Sequence, residues 1–360
     1  MAAKQALAQQ GRRLILSGIQ PTGIPHLGNY LGALNNWVKL QQEPDATTYY
    51  MFADLHAITM PQDPATLRRN KLDMAASLLA CGIDPRRSIV FEQSRVPGHA
   101  DLMWIFNCLT PVGWLGRMTQ WKSKMDSSAR GNKVSHAEML ADESLTTGLK
   151  MGLFDYPVLQ AADILIYKAT HVPVGEDQLQ HLELARDIAK VFNKTFKSNT
   201  FPKPNPIIPQ GTKRVMSLRV PTSKMSKSDP VEHSKINLTD APELIQSKIR
   251  RAVTDSIQGV TYDVENRPGV SNLISIYSAV RDIEIDDAVK EFENIKSTQA
   301  FKDQVAAAVI DRLTPIQNEL KRLQNDQGYV LQVLEEGAAK ASQVAAKNVE
   351  EVYKLIGLRL

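Results

Sequence analysis

Leu14-Ile15-Leu16-Ser17-Gly18-Ile19-Gln20-Pro21-Thr22-Gly23-Ile24-Pro25-His26-Leu27-Gly28-Asn29 is the stretch that decides the fold. A compact apolar run from Leu14 to Ile19 ends in Gln20-Pro21-Thr22-Gly23, so it reads as a buried strand followed by a turn. Leu27, Leu31, Leu34 and Val38 then recur at helical spacing, which packs one face of a helix on the sheet. Strand, turn and helix in this order place free backbone N–H groups at the carboxyl end of a strand, where an open parallel sheet binds anions.

Working outward, Tyr49–Ala53 and Ser88–Gln93 are further strand candidates, separated by the helical pattern Leu67–Ala80, and Ala161–Tyr167 leads into the apolar Val172–Val174. Strands alternating with helices argue for an α/β fold with a parallel sheet. Residues 125–147 carry Ser, Asp, Gly, Asn and Lys with few apolar anchors, as in a surface insertion. Pro202, Pro204, Pro206 and Pro209 exclude a continuous helix or a central strand and mark a loop before Arg214–Val220. Beyond it the pattern is helical. Asp240 and Glu243 stand at capping-box spacing ahead of Leu244, Ile245, Ile249 and Val253, and Ser271 opens a second helix. Phe301, Val305, Val309, Leu313, Ile316, Leu320 and Leu323 form a third stripe with Pro315 at a kink or junction. The last segment, 330–360, is helical with Gly337 as a candidate break.

With 360 residues, 43% hydrophobic and 23% charged, the chain is ordinary globular material, long enough for two domains. No run approaches the ~18 apolar residues of a membrane span. Cys81 and Cys108 form no CxxC pair, which disfavours a zinc ribbon or a disulfide framework. The net charge of +4 is compatible with a polyanion partner and decides nothing by itself.

Gly28 permits close approach of a phosphate or an adenine, and His26, Asn29, Gln20 and Thr22 offer polar contacts around the helix start. Helix capping alone would select the same Asn and Gly. No GxxxxGK[ST] or GxGxxG sequence is present, which disfavours a P-loop or a standard dinucleotide site. Late in the chain, Lys224-Met225-Ser226-Lys227-Ser228 puts two ammonium groups and two hydroxyls in a loop that can grip a pyrophosphate as its charge builds. Alone, such a loop is ordinary solvated surface.

Together the two segments resemble the HIGH-like and KMSKS signatures of class I aminoacyl-tRNA synthetases. Leu16–Gly23, Leu27–Tyr30, Asp54–Thr59, Arg117–Gln120, Ala161–Leu165 and Val172–Gln178 look like the bacterial and organellar tryptophanyl branch, a similarity that covers nearly the whole chain. The resemblance implies a Rossmann-like catalytic domain at 10–230, a helical tRNA anticodon-binding domain at 231–330, and a C-terminal helix at 331–360 that packs back on the catalytic domain. It implies activation of L-tryptophan with ATP and magnesium, transfer to tRNA(Trp), and a homodimer joined through the α/β domains. By the same resemblance Gln20, Thr22, His26, Gly28, Asn29, Gly175, Asp177, Lys224, Met225, Ser226 and Lys227 hold ATP. Lys224, Lys227 and Lys124 act on its phosphates, and no protein residue fixes a metal.

Indole has a large apolar body and one N–H donor, so its pocket needs apolar walls and one fixed acceptor. Asp163, which interrupts the apolar run Ala161–Leu165, fits that need, with Tyr156, Gln178, His56 and Gln160 around the amino acid by resemblance. Gln160 stands where many bacterial relatives have Met, and Tyr156, Gln160 and Asp163 reproduce the spacing by which tyrosyl-tRNA synthetases bind tyrosine. A tyrosine-activating enzyme is therefore the alternative, and a catalytically inactive RNA-binding relative is another. Lys248, Arg250 and Arg251 form a small basic cluster suited to tRNA phosphates, as is any solvated helix face. Lys4, Arg12 and Arg13 precede the first acidic residue, as in an organellar presequence. A frayed basic start reads the same way. Arg117–Lys124, the polar insertion and Lys168–His171 look closer to mitochondrial than to bacterial relatives, and that resemblance implies the mitochondrial matrix, with a bacterial cytoplasm as the alternative.

Overall fold

The computed structural model describes residues 13–119, 121–122, 150–175, 178–208 and 215–360. Five parallel strands form one sheet in the order β3-β2-β1-β4-β5: β1 Arg13–Ile19, β2 Ala46–Phe52, β3 Ser88–Glu92, β4 His171–Pro173 and β5 Asn205–Ile207. The chain builds outward from β1 to β3, then returns to pair β4 on the other side of β1. That reversal leaves a crevice beyond the carboxyl ends of β1 and β4. β5 is the element the proline count concealed. It is an edge strand, where the missing N–H of Pro206 breaks no central ladder.

Alternation along β2 divides the core. Tyr50 and Phe52 face one side, with Leu27, Leu31, Leu34 and Trp37 of the first helix, α1 (27–40), and with α2 Pro64–Ala80. Tyr49 and Met51 face the other, with α3 Gly98–Asn107, α4 Met151–Ile166 and α5 Leu179–Thr195. The expected strand-and-helix start is present, and Tyr30–Leu34 forms a π-helical turn within α1.

After residue 240 the described chain is helical: α6 Pro242–Arg250, α7 Pro268–Arg281, α8 Ile285–Glu291, α9 Thr298–Asn325 and α10 Gln327–Leu355. Their core, including Leu273, Ile274, Phe292, Phe301, Val305 and Val309, is continuous with the Tyr50 side of the sheet. α10 runs back along β3. Lys168 pairs with Glu351 at 2.8 Å, and Asn348 Nδ2 donates to the Ile166 carbonyl at the end of α4.

Four local expectations change. α6 begins at Pro242 with no capping box, because Asp240 is committed to the Lys248 ammonium at 2.6 Å and to the Asn237 amide. α7 begins at Pro268, and the Ser271 hydroxyl accepts from Asp263 N–H. Pro315 lies inside α9, on its exposed side, where the lost N–H leaves a carbonyl that water can serve. Gly337 does not break α10. It is glycine because a Cβ there would lie 1.8 Å from the Val90 carbonyl oxygen, so the close packing of α10 on β3 requires the missing side chain.

Candidate active site

A cleft of about 1320 Å³ opens at the reversal in strand order. Drug-sized ligand pockets span roughly 300–1,000 Å³, so this one has room for a nucleotide and a second small molecule together. Gln20 at the end of β1, His26, Gly28 and Asn29 at the start of α1, Gly175 after β4, and Lys224 and Met225 line one part. His56, Tyr156, Gln160, Asp163 and Gln178 line the rest. Thr22, Ser226 and Lys227 are not on its wall, and Lys124 and Asp177 lie outside the described residues, as does the predicted insertion at 125–147.

The first part of the cleft is built from a turn and a cap. Gly23 adopts φ +89°, and a Cβ there would meet the Asn70 side-chain oxygen at 2.8 Å. His26 caps α1 reciprocally: its Nδ1 accepts the Asn29 N–H at 3.3 Å, and Asn29 Oδ1 accepts the His26 N–H at 3.2 Å. The capping reading of these two residues is met by these bonds, and both also line the cleft. Segment 236–238 straps the cap in place, with Leu27 N–H on the Ile236 carbonyl and Leu238 N–H on the Pro25 carbonyl. Burial, with Lys227 and Lys235 close by, pulls the His26 imidazole down to about 4. It is a neutral ring whose Nδ1 is an acceptor, so its hydrogen is on Nε2. Gly28 is tight for its own reason: a Cβ would stand 2.9 Å from His26 Cε1.

The lysine loop closes on the same turn. Met225 is buried and its N–H donates to the Val215 carbonyl at 3.1 Å, which anchors the loop. Lys227 Nζ donates to the Thr22 carbonyl, and to Ile24 O at 3.3 Å. Burial pushes the Lys227 ammonium below its ordinary value, opposed by Asp73 and aided by Lys235. Lys235, which sequence reasoning passed over, donates to the carbonyls of Lys227 at 2.6 Å and Asp229 at 2.8 Å and so shapes the loop from behind.

The other end of the cleft is a buried polar network. Asp163 on α4 is 2% exposed. Its Oδ1 accepts from Gln93 Nε2 at 2.7 Å and from His99 Nδ1 at 2.6 Å, and its Oδ2 from His56 Nε2 at 2.8 Å. Burial opposes ionisation, but the bonds from His56 and His99 outweigh it and hold the carboxyl at about 2. Nearby, the Tyr156 hydroxyl meets His181 Nε2 at 2.7 Å, and His181 Nδ1 meets Gln178 Oε1 at 3.1 Å. Burial raises the Tyr156 phenol to about 12. Gln93, His99 and His181 were absent from the sequence-derived set. Gln93 and His99 follow β3 at the same carboxyl rim that drew attention to β1, and that position is the signal that could have found them.

One expected cluster does not form. Lys248 is fully buried against Asp240, so of Lys248, Arg250 and Arg251 only the two arginines reach the surface. Arg250 is paired with Asp303 at 2.8 Å, and Arg251 Nη1 lies 3.0 Å from His233 Nε2.

Comparison with known proteins is consistent with this geometry. A family model described as tRNA synthetases class I (W and Y) matches residues 9–314. The mitochondrial tryptophan–tRNA ligase of Saccharomyces cerevisiae is 46% identical over 347 residues, covering 95% of this chain and 90% of the relative. The solved tryptophanyl-tRNA synthetase of Mycoplasma pneumoniae superposes with a TM-score of 0.80 at 32% identity, covering 97% of this chain and 98% of that one. The Campylobacter jejuni enzyme, solved with ADP and tryptophan, gives a TM-score of 0.74 at 30% identity over 96% of this chain and 99% of that one. With both signature segments on one crevice and these matches over nearly its full length, the chain belongs to the class I tRNA synthetases of the tryptophan and tyrosine group.

Proposed function

We infer that the protein is a tryptophan–tRNA ligase: it activates L-tryptophan with ATP to tryptophanyl-adenylate, releases diphosphate, then transfers tryptophan to tRNA(Trp) and releases AMP. The observation that carries this reading is the near full-length match to enzymes of that name. The cleft supports it with one carboxylate, Asp163, held in a buried hydrogen-bond network at one end, and with Lys224 on its wall at the other.

In the proposed reaction a tryptophan carboxylate oxygen attacks the α-phosphorus in line, and the bond to the bridging oxygen of diphosphate breaks. The carboxylate is already ionised, so no general base is required, and catalysis is positioning plus charge stabilisation. ATP lies along Gln20, Thr22, His26, Gly28, Asn29, Gly175 and Asp177, with Met225 and Ser226 closing over it. Neutral His26, its Nδ1 committed to Asn29, directs Nε2–H at phosphate oxygens. Lys224, Lys227 and Lys124 balance the charge that collects on the leaving diphosphate. Lys227 must exchange the Thr22 and Ile24 carbonyls for phosphate, a short move, since those carbonyls belong to the turn that faces the nucleotide.

Asp163 accepts the indole N–H, and Tyr156, Gln160, Gln178 and His56 surround the amino acid. A site built on that bond disfavours phenylalanine, whose ring would leave the acceptor unpaired. We assign magnesium to the triphosphate oxygens, where it would offset phosphate charge. We assign 10–230 to catalysis, 231–330 to the tRNA anticodon arm and 331–360 to bracing of the catalytic part. The exposed Trp104, Val112 and Met151 favour a two-fold dimer through the α/β part. The relatives are both mitochondrial and bacterial, no described helix is long and apolar enough to cross a membrane, and the basic residues Lys4, Arg12 and Arg13 favour the mitochondrial matrix.

Amino-acid-dependent exchange of pyrophosphate into ATP, run over all the standard amino acids, tests the assignment. Exchange with tryptophan is expected; a preference for tyrosine moves the enzyme to the sister specificity, and no exchange with any amino acid removes the activity.

A further inference from the structure

Asp163 is an acceptor with four lone-pair directions, and three are taken: two on Oδ1 by Gln93 and His99, one on Oδ2 by His56. His99 is itself fully buried, and its far nitrogen, Nε2, lies 2.8 Å from the Tyr167 hydroxyl. Tyr167 is 1% exposed, stacked on Tyr49 at 4.7 Å and set edge-on to Phe91. Among the described residues His99 is the hydrogen-bond partner of that hydroxyl, so its hydrogen goes to Nε2. The hydrogen of His99 is then on Nδ1 and goes to Asp163. The chain Tyr167 O–H, His99 Nε2, His99 Nδ1–H, Asp163 Oδ1 runs in one direction and ends on the carboxylate.

We propose that His99, held in one tautomer by Tyr167, is a positioning residue for amino acid selection: with Gln93 it saturates Oδ1 of Asp163 and leaves a single acceptor direction, on Oδ2, facing the cleft. This rests on the assignment of Asp163 to the indole N–H and explains how one carboxylate reads one donor. A carboxylate with both oxygens open could rotate to meet a hydroxyl or a water as readily as an indole. With Oδ1 locked, the remaining direction is fixed by α4, by β3 and the residues after it, and by His56. His99 touches neither substrate and acts through Asp163.

The test compares tryptophan with its benzothiophene analogue, β-(3-benzothienyl)alanine, in which sulfur replaces the N–H, in pyrophosphate exchange by the full-length protein. Three variants separate the possibilities. His99→Asn keeps an amide donor where Nδ1 stands and should retain the preference for tryptophan within about twofold. His99→Gln places its donor at the Nε2 position instead, and should raise the KM for tryptophan about tenfold while leaving the KM for ATP and the KM for the analogue within about twofold, the size of one lost hydrogen bond to a charged group. Asp163→Asn should abolish the preference by itself. A merely structural role for His99 would weaken tryptophan and analogue together and leave their ratio unchanged. An unchanged ratio in His99→Gln, with the ratio lost in Asp163→Asn, overturns the positioning role and leaves the Asp163 assignment standing. An unchanged ratio in Asp163→Asn overturns the assignment itself. If His99→Gln does not fold, Tyr167→Phe, which removes one hydroxyl from a packed ring, carries the test: a ratio narrowed about threefold supports the proposal, and an unchanged ratio overturns it.

Discussion

Gly337→Ala is the sharpest structural prediction, because two opposed effects can be sized. In an exposed helix interior Ala is preferred to Gly by about 1 kcal/mol, so propensity alone makes the variant more stable. Here the added Cβ would lie 1.8 Å from the Val90 oxygen and 2.7 Å from its carbonyl carbon, both backbone atoms. Carbon and oxygen come into ordinary contact at about 3.3 Å, so α10 and β3 must separate by roughly 1.5 Å. That opens the seam between α10 and β3, where Val330, Val333 and Leu334 belong to the same core as Val90, and Ala338 and Ala341 to the same core as Phe91. Overpacking of this kind costs about 1–3 kcal/mol, and more where rigid backbone opposes it, so a net loss of about 2 kcal/mol is expected. Urea unfolding followed by tryptophan fluorescence should show an earlier midpoint for Gly337→Ala. Gly328→Ala in the same helix is the control: its Cβ would meet nothing closer than the Asp326 side-chain oxygen at 3.9 Å, and its midpoint should hold or rise. α10 also backs the Asp163 end of the cleft, since Gln93 follows β3 and Asn348 holds the end of α4. The KM for tryptophan should therefore rise more than that for ATP. A Gly337→Ala protein as stable as the parent would refute the packing argument and with it the bracing role of α10.

The remaining predictions concern charge. His26 falls from 6.5 to about 4 on folding, so the unfolded chain binds its proton first; the contribution is complete above pH 6.5, drains away between 6.5 and 4, and amounts to about 3 kcal/mol. His26→Asn, which keeps an N-cap and does not titrate, should show a shallower acid loss in urea midpoints across that window, and an identical slope would contradict the neutral cap. Lys227→Ala should lower kcat for adenylate formation about 10²–10³-fold with little change in the KM for tryptophan, as for loss of one transition-state charge contact, and an unaltered kcat would exclude the lysine from the reaction. Asp163→Ala should lose discrimination for tryptophan and, by stranding His56, His99 and Gln93, destabilise the fold by about 3 kcal/mol in the same urea assay; unchanged selectivity removes it from its role. Arg251→Ala should reduce the slope of log tRNA affinity against log salt by about 1, whereas Lys248→Met should leave it unchanged; an effect from Lys248 would contradict its burial.

The parallel-sheet half was legible because its signals are local: Leu14–Ile19 and Tyr49–Ala53 are apolar runs closed by turn residues, and Leu27, Leu31 and Leu34 keep helical period. What was not legible depended on contacts between distant segments. Gly337 was kept small by a strand about 250 residues away. Two local misreadings add to this: Asp240 at capping spacing was drawn off by Lys248, and the short β5 was hidden by prolines that an edge strand tolerates. The site divides the same way. His26, Gly28 and Asn29 announce themselves by spacing, and Asp163 by interrupting an apolar run. Gln93 and His99 offer only their place after β3, and Lys235 offers no mark, because each acts on another protein group that the fold, not the sequence, brings near.

The proposed work of this cleft is to select tryptophan and load it onto its tRNA. Acylation of unfractionated tRNA with labelled tryptophan, and in parallel with labelled tyrosine, tests it most directly, with the acylated species identified by sequencing. ATP-dependent attachment of tryptophan to tRNA(Trp), and none of tyrosine, is expected. Loading of tyrosine, or no loading from either amino acid, would contradict it.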